Sequence, residues 1–187
     1  MEQDIQKAAE ILRKGGIILY PTDTIWGIGC DATNVEAVKK VYQLKQREEH
    51  KCMLVLVDHI DRIGRYVKEI PDLAIQLIEV NDLPMTIIYP GAVNLASNLI
   101  SPDGTIGIRV VNDDFCQKLI RKLNKPIVSS SANISGQASP AFFNEVSDEI
   151  KNAVDYIVEW HQNDTTKHTP SQIIKVGLNG EVEILRK

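Results

Sequence analysis

Short apolar runs alternate with amphipathic segments along most of this chain, and that alternation limits the folds available to it. "CMLVLV" (52–57) and "MTIIYP" (85–90) have the continuous apolar character of buried strands. Between such runs, "DIQKAAEILRKGG" (4–16) spaces its apolar residues as a helix does and ends on two glycines. The pattern predicts an α/β protein whose helices cover a mostly buried sheet.

The remaining elements follow from the same reasoning. Helices are predicted over 33–45, 60–69, 71–80, 113–124 and 145–159, and strands over 17–20, 105–111, 126–131, 171–177 and 182–187. In the helix at 33–45, Thr33 and Glu36 fit a capping box, and the apolar stripe consists of Val35, Val38, Val41 and Leu44. The turn "LNGE" between the last two strands predicts a hairpin, which favours a mixed sheet.

Composition narrows the class of protein. The 187 residues suit a single domain spanning 1–187, and 43% hydrophobic with 25% charged residues is ordinary for a globular chain. A net charge of −4 argues against a surface broadly adapted to nucleic acid. Cys30, Cys52 and Cys116 are far apart and predict neither a disulfide framework nor a zinc site. Without a signal-like N-terminus or a long apolar run, we expect a cytoplasmic protein with no membrane span.

Four polar stretches adjoin the predicted strands or helices and are candidate site segments. They are "YPTDTIWGIGCDA" (20–32), "LKQREEHK" (44–51), "TIGIRVV" (105–111) and "KPIVSSSANISGQASP" (125–140). Lys45 and Arg47 fit either an anion site or a pair of cations offsetting a helix dipole. Arg109 lies mid-strand, where a charged side chain needs a partner or a ligand. The hydroxyl-rich segment (129–139) has two interpretations. It is either a plain polar loop or a binding site for an oxygen-rich ligand such as a nucleotide.

Taken in order, these stretches resemble the YrdC-like threonylcarbamoyl-adenylate synthase family over nearly the whole chain. The motifs are "PTDTIWGIG", the pair Lys45 and Arg47 in "KQR", the strand "GTIGIRVV", "SAN" at 131–133, and "TPSQII" at 169–174. The sequence also departs from the family pattern, with Glu48 in place of the usual proline and Gln172 in place of the usual threonine. These departures leave open a paralogue with weak or altered synthase activity.

The resemblance implies a fold and a reaction. The fold would be a twisted mixed sheet flanked by helices around a concave central cavity. The enzyme would be a nucleotidyltransferase that converts L-threonine, bicarbonate and ATP into threonylcarbamoyl-AMP and pyrophosphate. The product would supply the downstream machinery that transfers the threonylcarbamoyl group to tRNA, forming N6-threonylcarbamoyladenosine.

The resemblance also implies roles for individual residues. No residue would act covalently, and Lys45 and Arg47 would position and neutralise the ATP phosphates. The implied ATP-binding residues are Lys45, Arg47, Lys51, Thr105, Asn133 and Arg186. The implied threonine-binding residues are Thr24, Arg109, Ser131 and Ser171, with Arg109 on the carboxylate. Mg²⁺ is expected to accompany ATP, and no protein metal site is assigned, although Asp23 is the first carboxylate to inspect.

A second hypothesis from a different class is a paralogue that binds double-stranded RNA or tRNA with weak or no synthase activity. The acidic composition and the 5% aromatic content argue against recognition by base stacking. RNA binding would depend steeply on salt and need no threonine, whereas a synthase would bind its substrates together.

Overall fold

The computed structural model describes residues 1–48, 51 and 53–187. Within these residues the α-helices are α1 (Glu2–Arg13), α2 (Val35–Leu44), α3 (Asp72–Val80), α4 (Asp114–Leu123) and α5 (Asp148–Ala153). The strands are β1 (Ile18–Tyr20), β2 (Gly27–Gly29), β3 (Leu54–Val57), β4 (Met85–Tyr89), β5 (Ile106–Val110), β6 (Ile127–Ser131), β7 (Tyr156–Ile157), β8 (Gln172–Val176) and β9 (Val182–Arg186). Short 3-10 helices span Ile60–Arg65, Ser97–Leu99 and Phe143–Glu145.

The nine strands described form one sheet in the order β7-β1-β2-β6-β3-β5-β4-β8-β9. At its centre, β3 pairs parallel with β5 and antiparallel with β6, and further along β4 pairs parallel with β8. The sheet is therefore mixed, and the predicted α/β class with a mixed sheet flanked by helices is confirmed. None of the helices described is both long and apolar enough to cross a membrane.

Two apolar clusters cover opposite faces of the sheet. Successive strand residues point to opposite faces, and on β3 Val55 belongs to one cluster whereas Leu56 belongs to the other. The helices α1 and α4 pack on the Leu56 face, where Leu12 and Phe115 are buried. On the Val55 face, α2 contributes Val38 among other buried residues. Because both faces of the central strand β3 are covered, its sequence Leu54–Val57 is a continuous apolar run, as the sequence indicated.

The start of α2 differs from the predicted capping box. Asn34 is the N-cap, and its side-chain oxygen accepts a 3.1 Å hydrogen bond from the backbone N–H of Ala37. The Thr33 hydroxyl instead donates a hydrogen bond to the Asp31 carboxylate, so Thr33 does not act as the N-cap of α2. Within the predicted apolar stripe, Val35 is 41% exposed because it begins the helix on the outer side, so its assignment to the stripe was wrong.

Other boundaries were also wrong. The predicted helix at 145–159 ends at Ala153, and Tyr156–Ile157 forms β7 because it pairs with β1. The segment 60–69 contains a 3-10 helix rather than an α-helix. The strand β2 was not predicted, since its Gly27–Gly29 sequence has little strand propensity of its own. Cys52, at the start of one predicted strand, lies outside the described residues.

Candidate active site

A cavity of about 260 Å³ opens on the α1/α4 face of the sheet, beyond the part those helices cover. On β6, Ile127 packs in the α1/α4 cluster, while Ser129, two residues further and on the same face, lines the cavity. On β5, Gly107 and Arg109 line it, while Ile106 and Ile108 are buried on the opposite face. The strands thus carry an apolar surface under the helices and a polar surface into the cavity.

The lining of the cavity is rich in hydrogen-bonding groups. Nine serine and threonine hydroxyls and three guanidinium groups contribute to it, and no carboxylate does so among the residues described. Guanidinium groups bind carboxylates and phosphates through paired N–H donors, and hydroxyls donate to or accept from ligand oxygens. The cavity is therefore suited to an anionic, oxygen-rich ligand.

Arg109 is the most deeply buried of the three guanidinium groups. Its Nη1 lies 2.7 Å from a carboxylate oxygen of Asp23 and donates a 3.1 Å hydrogen bond to the Thr24 hydroxyl. Asp23 in turn accepts from the backbone N–H of Asn112 at 3.2 Å. The mid-strand arginine therefore has a protein partner, and the carboxylate first considered for Mg²⁺ is paired with it.

Arg186 reaches the cavity from the last strand. Its Nε donates a 2.8 Å hydrogen bond to the Ser171 carbonyl, and its Nη2 lies 3.3 Å from the Ser171 hydroxyl. That hydroxyl also pairs with the buried Thr86 hydroxyl at 2.8 Å. Partial burial, followed by the nearby Arg109 charge, lowers the pKa of Arg186. The side chain is thus fixed at the cavity wall rather than being a freely solvated terminal cation.

Thr105 and Arg47 lie at other parts of the cavity wall. The Thr105 hydroxyl donates to Asp103 at 2.7 Å, and Asp103 also pairs with Lys175 at 2.9 Å. The Arg47 Nε donates a hydrogen bond to the carbonyl of Lys51. Arg47 and Thr105 line the cavity, whereas their partners Lys51 and Asp103 are not in its lining.

Lys45 lies behind the cavity wall. Its side chain is 1% exposed, and its ammonium donates to the carbonyls of Ser131 and, at 2.6 Å, Asn133. Burial, followed by the charge of Arg47, lowers the pKa of Lys45 to about 8. The Asn133 amide is also turned toward its own segment, donating to the carbonyls of Ile134 and Gln137. In this arrangement both side chains stabilise the hydroxyl-rich segment through hydrogen bonds to its backbone carbonyls.

Seven of the ten residues assigned from the sequence line the cavity: Thr24, Arg47, Thr105, Arg109, Ser131, Ser171 and Arg186. The other three, Lys45, Lys51 and Asn133, are not in its lining, and Lys51 pairs with Glu48 on the surface at 3.0 Å. Two lining hydroxyls, Thr86 and Ser101, were given no role from the sequence, whereas Ser129, Ser130 and Ser139 belong to the hydroxyl-rich segment that was predicted to suit an oxygen-rich ligand. The sequence feature that could have identified Thr86 is its position as the one threonine within the otherwise largely apolar run "MTIIYP".

Sequence comparison identifies relatives along nearly the whole chain. The model of the Sua5/YciO/YrdC family, described as "Telomere recombination", matches residues 10–187. The chain is 32% identical over 184 residues to a threonylcarbamoyl-AMP synthase of Pseudoalteromonas translucida, covering 97% of each chain. It is also 32% identical to a threonylcarbamoyl-AMP synthase of Vibrio cholerae, covering 91% of this chain and 92% of the relative.

Solved structures that share this fold also match nearly the whole chain. Sua5 of P. abyssi, complexed with L-threonine, superposes with a TM-score of 0.84 at 25% identity, covering 94% of this chain and 52% of the other. The chain thus spans about half the length of that Sua5 chain. E. coli YciO shares the fold, with a TM-score of 0.86 at 23% identity over 100% of this chain and 90% of the other. The motifs, the fold and the family match agree: this chain belongs to the Sua5/YciO/YrdC family.

Proposed function

We propose that this protein is a threonylcarbamoyl-AMP synthase, a nucleotidyltransferase that uses L-threonine and ATP. Its family membership and the names of relatives that match nearly its full length support this activity. The structural observation that carries the proposal is a cavity lined by hydroxyls and three guanidinium groups, with no carboxylate among the described lining residues. A site of that composition attracts the carboxylate of an amino acid and the phosphates of a nucleotide.

Bicarbonate is the third substrate in this proposal. The threonine amine combines with bicarbonate to give a carbamate and water. A carbamate oxygen then attacks the α-phosphorus of ATP, the bond to the bridging oxygen breaks, and pyrophosphate leaves with that electron pair. The products are threonylcarbamoyl-AMP and pyrophosphate, and no protein side chain is covalently modified. Catalysis would consist of positioning the reactants and stabilising negative charge as it develops.

The two substrates would occupy neighbouring parts of the cavity. Arg109 and Thr24, which are hydrogen bonded to each other, would bind the threonine carboxylate together with Ser131. Arg47, Thr105 and Arg186 would bind the nucleotide from the surrounding wall. Ser171, hydrogen bonded to both Thr86 and Arg186, would lie where the two substrates meet.

Lys45 and Asn133 would contribute indirectly to the same site. Their contacts hold the hydroxyl-rich segment, so each would act on the nucleotide through the placement of Ser131 and its neighbours. Lys51 would need to turn inward from its surface pair with Glu48 to reach a phosphate.

Mg²⁺ is expected to enter with ATP rather than to be held by the protein. Protein Mg²⁺ sites use one or two carboxylates together with substrate phosphates. Among the residues described, the cavity lining contains no carboxylate, and no cluster of three or more His, Cys, Asp or Glu side chains could hold a metal ion. The lining does not fit a protein-held metal, so no step here is assigned to one.

The proposed product is a reactive compound. Threonylcarbamoyl-AMP is a mixed anhydride of a carbamic and a phosphoric acid, which reacts with water and with amines. In this proposal the product is passed on to the machinery that modifies tRNA at N6 of adenosine, which is the use that the family resemblance implies. A cavity that limits water would also protect the carbamate before it reacts.

The direct test incubates the purified protein with ATP, L-threonine and labelled bicarbonate. The expected result is equimolar release of pyrophosphate and labelled threonylcarbamoyl-AMP, which depends on all three substrates. Pyrophosphate release that is unchanged without threonine would contradict the proposal. Salt-sensitive binding of double-stranded RNA without any threonine-dependent reaction would favour the RNA-binding alternative.

A further inference from the structure

The pairing of Asp23 with Arg109 has no direct role in the reaction described above. The two side chains are 10% and 2% exposed, and their closest oxygen and nitrogen atoms are 2.7 Å apart. Arg109 lines the cavity, whereas Asp23 does not. Asp23 instead lines two other pockets, one of which shares Thr24 with the cavity.

The contact between the two side chains is an ion pair and not an aligned hydrogen bond. Nη1 of Arg109 lies 2.7 Å from Oδ1 of Asp23, an oxygen without a hydrogen-bond partner among the described residues, and it donates a 3.1 Å hydrogen bond to the Thr24 hydroxyl. The Nε of Arg109 is buried and has no hydrogen-bond partner among the described residues. Nη1 is thus occupied by protein contacts, although Arg109 as a residue lines the cavity. A buried donor without a partner is costly, so the guanidinium depends on Asp23 and Thr24 for its stabilisation.

Asp23 is itself anchored. Its second oxygen accepts from the Asn112 backbone N–H at 3.2 Å, at the point where the chain leaves β5. The carboxylate therefore joins the loop after β1 to the end of the strand that carries Arg109. A buried guanidinium with no counter-charge would be strongly disfavoured, and it would turn toward solvent or lower-energy partners.

We propose that Asp23 is the positioning residue of the carboxylate subsite. It holds Arg109 by Nη1, so that the rest of the guanidinium is oriented toward the cavity before threonine arrives. Asp23 touches neither substrate and acts through Arg109. The identity of the ligand as an amino-acid carboxylate rests on the proposed function, but the positioning of Arg109 by Asp23 does not.

The main test compares Asp23→Asn with the wild-type enzyme in the pyrophosphate assay. The expected result is a rise of about tenfold or more in the threonine constant, with the ATP constant changed by less than about twofold. Asp58→Asn is the matched control, because Asp58 is a similarly buried carboxylate that pairs with Arg62 and Arg121 away from the cavity. It should lower thermal stability and leave both substrate constants unchanged. The same result for Asp23→Asn would overturn the proposal.

A double-mutant cycle tests whether Asp23 acts through Arg109. In an Arg109→Gln background, Asp23→Asn should have almost no further effect on the threonine constant, because there is no guanidinium left to position. Independent, additive effects would overturn the proposal. The double variant also removes both buried charges, so it remains informative if Asp23→Asn alone fails to fold.

A spectroscopic measurement separates this inference from the proposed function. In NMR spectra, the Nε–H proton of Arg109 should exchange with water markedly faster in Asp23→Asn than in the wild type and in Asp58→Asn, and its signal should be broader. Equal exchange in all three proteins would overturn the positioning role. This readout needs no turnover, so it decides the inference even if the wild-type protein releases no pyrophosphate.

Discussion

The Lys45 ammonium donates a 2.6 Å hydrogen bond to the carbonyl of Asn133, a residue 88 positions further along the chain. A second bond from the same ammonium reaches the Ser131 carbonyl, and the Lys45 carbonyl accepts from the Ser135 N–H at 2.8 Å. The end of α2 is thereby fastened to the hydroxyl-rich segment. Lys45 supports the wall of the cavity, and Arg47 is the member of the pair that lines it.

Lys45 should make the free energy of unfolding depend on pH. Its pKa is about 8 in the folded protein, below its usual 10.5, so the unfolded chain binds more protons between these values. Stability from this group should therefore rise with pH from about 8 to 10.5, by up to about 3 kcal/mol. Urea denaturation of the wild type and Lys45→Met across this range measures the effect. A stability difference between the two that stays constant with pH would contradict the assignment.

Arg47→Ala should weaken ATP binding. Losing a charge-assisted contact to phosphate costs about 1.5–3 kcal/mol, which corresponds to a ten- to hundredfold rise in the dissociation constant. Titration calorimetry measures this directly. Arg13→Ala is the control, because Arg13 ends α1 and donates to the Lys122 carbonyl outside the cavity. Equal ATP affinity for Arg47→Ala and the wild type would leave Arg47 with only a local structural role.

Gly107→Ala should impair ligand binding more than folding. An added methyl group would lie 3.3 Å from the Thr86 methyl carbon and 3.4 Å from Leu54 Cβ, on the floor of the cavity. Alanine is better than glycine within a strand by about 0.5–1 kcal/mol, which offsets part of the crowding. We expect thermal stability within a few degrees of the wild type and a several-fold weaker affinity for threonine. Gly64→Ala, with its nearest neighbouring atom 3.8 Å away, should change neither.

Asn34→Ala should destabilise the protein by about 1 kcal/mol, because the substitution removes the N-cap acceptor of α2. Asn34→Asp keeps a side-chain oxygen at this position and should retain most of the stability. Chemical denaturation of the two variants gives the comparison. If Asn34→Ala were as stable as the wild type, the cap seen in the structure would contribute little.

Some features of the site were predictable because they depend on local sequence. Ser131 ends β6, Ser171 directly precedes β8, and Thr24 lies in the loop between β1 and β2; short polar side chains at strand ends and in such loops tend to line a cleft. On β5, strand alternation was enough to group Thr105, Gly107 and Arg109 on one face, and all three line the cavity.

The direction of the Lys45 side chain was not predictable in the same way. The sequence "KQR" suggested two cations acting together on phosphate. Residues two apart at a helix end do not face the same direction, and Gln46 adopts a left-handed backbone conformation with φ of 50°. Lys45 consequently turns inward to backbone carbonyls, while Arg47 turns to the cavity.

The α/β class, most of the helices and strands, and the family were predictable from the sequence, because these depend on periodicity and on motifs read in order along the chain. The way in which polar groups are shared between protein and cavity depends on the three-dimensional arrangement of the strands. Asp23 meets Arg109, and Arg186 meets Ser171, because the order and register of the strands bring distant segments together. Local patterns carry no information about such partners, since side chains far apart in sequence pair only once the sheet has formed.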